Sequence, residues 1–179
     1  MNDSRRLPHF LAALAYRTQK ALRGVTCATI VLAVAASSLD AQAPAELQIR
    51  AIVAAQEAAW NAGDGGAYSK DVSKDVAFTN IFGMVMYGGD DFTARQRQVL
   101  STFFKGTTKH HVIRRIRFVT ADVALVDIDN EVRGVKTMPP GIAVPSDGIL
   151  KTQLLEVFVN RGGRWWIEAY HNVDAKAVP

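Results

Sequence analysis

From His110 onward the chain falls into strand-length runs separated by turn chemistry, and no other stretch limits the fold so strongly. His110–Val119, Val123–Val132, Leu150–Val159 and Arg164–Val173 are rich in β-branched and aromatic residues and alternate apolar with polar side chains. "NRGG" at Asn160–Gly163 has the composition of a tight hairpin turn between the last two runs. A sheet built this way has one apolar face and needs another layer to cover it. The preceding half of the chain supplies that layer. Ile49, Ile52, Val53, Gln56 and Trp60 recur at the spacing of one helical face, with Gly63 at its end. "GDGGAYSKDVSKD" reads as a short, poorly regular helical segment, and "VAFTNIF" as a short strand. "YGGDDF" supplies a turn and a cap for a second helix, whose stripe holds Phe92, Gln96, Val99, Leu100, Phe103 and Phe104 before Gly106 stops it. Helices first and strands afterwards predict an α+β domain with the helices on one face of a curved sheet. Between Gly134 and Gly148, three prolines and three glycines predict an irregular rim or lid.

Strand parity divides inward from outward side chains. In the first strand Val76, Phe78 and Phe82 carry Asn80 with them. In His110–Phe118 the even positions Val112, Ile116 and Phe118 carry His110 and Arg114. In Val123–Val132 the apolar set Ala124, Val126, Ile128 and Val132 carries Asn130, and Asp127, Asp129 and Glu131 fall on the opposite face. With a turn centred on Arg161–Gly162, Trp165, Ile167, Ala169 and His171 share a face with Leu154 and Glu156; one residue more or less in the turn moves Glu156 across. Burying such polar groups separately costs roughly 1–3 kcal/mol each, so their convergence from several strands points to a cavity. On this reading His171, at the end of "RWWIEAYHNV", faces a pocket.

The N-terminus has another character. Arg5, Arg6, Arg17, Lys20 and Arg23 precede the apolar run Val25–Leu39, which is followed by small residues, the order of a signal peptide covering 1–43 with cleavage near Ala41 or Ala43. The run is shorter than the roughly 20 residues that span a bilayer. The expectation is an exported, periplasmic or secreted protein, free of the membrane after leader removal, with 44–179 as a single domain. Of 21 basic and 17 acidic residues, the leader holds five and two, so the remainder is nearly neutral and no nucleic-acid partner is expected. The single cysteine, Cys27, lies in the leader, so the domain has neither disulfide nor thiolate nucleophile. His110 and His111 are strand neighbours that point to opposite faces, so no metal site is expected. The sequence lacks a glycine-rich dinucleotide fingerprint, and no cofactor is expected.

"AAWNAGDGGAYSKDVSKDVAFTNIFGMVMYGGDDF", with Trp60, Asn61, Gly63, Asp64, Asn80 and Gly83, resembles the opening of NTF2-like proteins of the SnoaL-like, DUF4440-type, SgcJ/EcaC group. "GGRWWIEAYHNV" is similar to that group's closing strand, with Val173 where threonine is common. The resemblance spans Glu46–Asp174. It implies an NTF2-like (cystatin-like) cone-shaped α+β barrel, helices packed on the concave face of a strongly bent, mostly antiparallel sheet around an open-ended cavity. It also implies a homodimer through the sheet. The fold hosts many chemistries, so function must come from the site.

Two functions fit the residues. The first is an exported protein binding a small apolar or aromatic ligand, with Trp60, Tyr68, Phe82 and Trp165 as walls and Asn80, His110, Arg114 and Asn130 as polar anchors. The alternative is a cofactor-independent isomerase, cyclase or dehydratase acting on an apolar carbonyl compound. There His171 is the proton shuttle, Glu156 or His110 its partner, and Asn80 the donor to developing negative charge.

Overall fold

The computed structural model describes residues 42–175. Residues 1–41 of the expected leader, with the cleavage point expected near Ala41, lie outside the described residues, and Ala43 stands within the first turn of a helix. That helix, α1, covers residues 42–61 and buries Ile49, Val53, Gln56 and Trp60, the face set out by the 3.6-residue spacing. Asp64 caps the short helix α2 (Gly65–Tyr68), its side chain accepting from Gly66 N and Ala67 N at 2.9 Å each. α3 (Gly89–Ser101) crosses α2 so closely that a Cβ on Gly65 would stand 2.4 Å from the Arg97 nitrogen. Only glycine fits there. Phe92, Gln96, Val99 and Leu100 form the buried stripe of α3.

Six strands follow the order β2-β1-β6-β5-β4-β3 in one open sheet. They are β1 (Val72–Thr79), β2 (Val85–Tyr87), β3 (Thr108–Thr120), β4 (Val123–Arg133), β5 (Ile149–Arg161) and β6 (Arg164–Asp174). All pair antiparallel except β1 with β6, which run parallel. The α+β, cystatin-like arrangement expected from sequence is present, with helices against one face of the sheet. β1 begins inside the segment expected to be helical. It ends at Thr79 because Asn80 turns the chain: its Oδ1 accepts from Phe82 N at 2.9 Å and Met84 N at 3.0 Å, closing the turn into the unexpected β2. Residues 134–148 hold neither helix nor strand, and Val135 N donates to Gly148 O at 3.0 Å, pinning the two ends of the loop together.

Two features set the register of the sheet, and the second decides which side chains face the helices. The hairpin turn is Gly162–Gly163, with φ of 63° and 84° and Arg161 paired with Arg164, rather than Arg161–Gly162. Phe158 therefore pairs with Ile167 rather than with Trp165, the partner that a turn at Arg161–Gly162 gives, and past a bulge Glu156 pairs with Tyr170 rather than with Ile167. Bulges also interrupt the long strands: Arg114 is surplus between the pairs Ile113–Ile128 and Arg115–Asp127, and Glu168 between Phe158–Ile167 and Val157–Ala169. A bulge inverts the alternation beyond it.

Candidate functional site

On β3 the first inward residues are Lys109 and His111, then Ile113; past the bulge they are Ile116 and Phe118. His110 and Arg114, expected inside, are exposed on the outer face. His110 Nδ1 lies 3.4 Å from Glu57 Oε2, and Arg114 pairs with Asp129. The expectation carried even parity from Phe118 through Arg114 to His110, across the point where parity changes. On β6 the buried side chains are Trp165, Ile167 and Tyr170, with Asn172 partly buried after them. His171 is exposed, and its Nε2 stands 3.4 Å from Thr79 Oγ1. The imidazole does not face the cavity, because Glu168 is one residue more than regular pairing accommodates.

The other expected residues occupy varied places. Asn130 is buried, with Nδ2 donating to Thr152 Oγ1 at 2.8 Å and Oδ1 unpartnered. Trp60 is buried, its Nε1 donating to Thr107 Oγ1 at 3.1 Å. Asn80 lines the cavity while its oxygen closes the turn, and Phe82, 41% exposed, stands at the rim. Trp165 packs edge-on against Phe118 in the core, outside the cavity lining. Tyr68 is buried behind the lining, and Glu156 is fully buried on the inner face, which settles its side of the sheet.

The cavity measures about 70 Å³, room for roughly five waters or one small ring. Trp60, Phe78, Val99, Phe104, Val132 and Leu150 give it apolar walls, and its polar atoms come from Asn80, Arg95, Gln96, Lys109, Asn130, Tyr170 and Asn172. Asn172 Oδ1, like Asn130 Oδ1, is a buried atom with no hydrogen-bond partner.

Lys109 is the side chain least expected in such a place. It is 5% exposed, and Nζ sits 3.7 Å from the centre of the Trp60 ring and 4.8 Å from that of Tyr68. Asn61 clamps its backbone from the end of α1, Nδ2 donating to Lys109 O at 3.0 Å and Oδ1 accepting from Lys109 N at 2.6 Å. Two residues of the Trp60–Asn61 signature thus position one lysine. Nζ donates to Tyr68 OH at 3.0 Å, and Tyr68 OH lies 2.9 Å from Tyr170 OH. Among the described residues no carboxylate reaches Nζ at salt-bridge distance.

Burial governs the protonation of this cluster. It pulls Lys109 down to about 7, against the opposing pull of Glu156 and Glu57. Burial likewise pushes Glu156 up to about 8, with the Lys109 charge and the nearby Gln56 amide opposing it; none of these carboxyl and amide atoms meets hydrogen-bond geometry. Both tyrosines are raised, first by burial, and stay protonated phenols. His111 is lowered to about 3 by burial and then by Lys109, so it is neutral at physiological pH. Near neutrality the cluster therefore offers an amine with a substantial unprotonated fraction beside two hydroxyls.

No protein-family model matches this chain, and the comparison with curated proteins finds no match. Solved structures do match. An uncharacterized cystatin-like protein from Caulobacter vibrioides is 24% identical over 72% of this chain and 88% of its own, with a TM-score of 0.65. A type 2 hexachlorocyclohexane dehydrochlorinase is 14% identical, covering 76% and 88%, with a TM-score of 0.64. A ketosteroid isomerase-like protein from Erwinia carotovora atroseptica is 18% identical, covering 73% and 96%, with a TM-score of 0.58. These likenesses show the cystatin-like, NTF2-like fold. At such identities they carry no activity across.

Proposed function

We propose that the protein is an exported binder of a small, largely apolar molecule of about single-ring size, held in the inner cavity by a few polar anchors. The observation that carries this reading is the convergence of two unpartnered buried oxygens, Asn130 Oδ1 and Asn172 Oδ1, on a cavity with aromatic and aliphatic walls. A ligand hydroxyl or amine satisfies those acceptors, and the apolar walls take its ring. Export rests on the leader's order of basic, apolar and small residues. Membership of the SgcJ/EcaC group rests on the motifs around Trp60 and Trp165, and a homodimer through the sheet is supported by Val112, Leu155 and Val173 exposed on its outer face. Titrating the full chain with benzyl alcohol should raise the melting temperature. Asn130→Leu and Asn172→Leu should each weaken that binding on the order of tenfold. Unchanged affinity in both variants refutes this assignment of the anchors.

A second reading, cofactor-independent acid/base chemistry on a carbonyl compound, is favoured by the chain Lys109 Nζ–Tyr68 OH–Tyr170 OH. In it an uncharged lysine takes the proton-accepting role first expected of His171, and a phenol donates to the carbonyl oxygen.

A further inference from the structure

We infer that Lys109 is an amine nucleophile that captures a small aldehyde or ketone in the cavity as an imine. The inference rests on the reading of the cavity as a ligand site and names the ligand's reactive group. An exposed lysine is a hydrated cation on a flexible stem, whereas Lys109 has its backbone clamped by Asn61 and its terminal nitrogen held over the Trp60 ring. Among the described residues Nζ donates only to Tyr68 OH, a neutral partner that does not hold the nitrogen in its charged form as a carboxylate would. Burial keeps a substantial fraction of the amine unprotonated near pH 7. The cavity walls also favour the apolar part of a carbonyl compound over bulk water.

The step balances without a further reactant. The lone pair of Nζ attacks the carbonyl carbon, the C=O π pair moves to oxygen, and one amine proton passes to that oxygen through the Tyr68 and Tyr170 hydroxyls, giving a carbinolamine. The second proton follows the same route as the C–O bond breaks. Water leaves and the neutral imine remains. Asn130 Oδ1 and Asn172 Oδ1 line the same space as acceptors, so the best ligand also carries a hydroxyl, as in a hydroxylated aromatic aldehyde.

The test uses the full chain, benzaldehyde and sodium cyanoborohydride at pH 7, followed by intact mass and peptide mapping. Hydride adds to the imine carbon and leaves one benzyl group on the modified nitrogen. The expected result is labelling of Lys109 ahead of the exposed Lys74, Lys105, Lys136 and Lys151 by at least about tenfold, falling as pH drops below about 7. Labelling spread evenly over the exposed lysines overturns the inference, and this readout needs no variant that might fail to fold. Lys109→Met should abolish the selective label, and benzyl alcohol, which has no carbonyl, should raise the melting temperature of the unsubstituted chain without adding mass. Benzyl alcohol binding without selective labelling sinks the imine alone. Absence of both sinks the ligand site as well.

Discussion

The two faces of the sheet treat charge in opposite ways. On the outer face Arg114 meets Asp129, Arg161 meets Glu168 at 2.7 Å, and Glu131 sits between Arg133 and Lys151. These groups remain partly in water, and each already has a partner. On the inner face Lys109 and Glu156 are almost wholly buried, lie beyond salt-bridge distance of one another, and shift toward their neutral forms. Solvated charges tolerate substitution, whereas buried ones tie stability and chemistry to protonation.

The comparison can be broken by experiment. The largest effect is expected for Trp165→Ala on the inner face, where a side chain 2% exposed is lost from its contact with Phe118; urea unfolding should register a loss of about 3–5 kcal/mol. Glu156→Gln should change how stability depends on pH. In the folded protein Glu156 keeps its proton to about 8, far above its ordinary 4.5, so its contribution is fully present below the unfolded value and is lost as pH rises through the folded one. The wild type should lose on the order of a few kcal/mol relative to the variant between pH 4.5 and 8, read from melts across that range. His171→Ala, on the outer face, should alter stability by no more than about 0.5 kcal/mol and leave benzyl alcohol binding unchanged. A loss of binding there would put the imidazole back at the pocket.

The layers and most of the elements could be read from the chain because they depend on periodicity sustained over many residues. The helical stripe from Ile49 to Trp60 and the β4 set from Ala124 to Val132 both appear as expected, and Asn130 faces inward with its neighbours. The identity of the pocket's titratable groups was not readable in the same way. Each candidate histidine sits one residue from the side chain that enters the interior, beside Lys109 in one strand and between Tyr170 and Asn172 in the other. A single surplus residue at Arg114 or Glu168 causes that offset, and a bulge leaves no mark in the alternation of hydrophobicity. The available signal is indirect: Asn61 follows Trp60 at the end of a helix, and its amide clamps the backbone of Lys109.

The bulge at Glu168 also gives β6 slack in its length. Removing that residue would restore even alternation from Ile167 onward with Tyr170 and Asn172 still aimed at the same space, so the count of residues from Trp165 to the closing asparagine is free to drift among distant cousins. Aligning such chains by counting back from a shared tryptophan would then match the wrong side chains, and superposing what lines the hollow would be the sounder guide to shared chemistry.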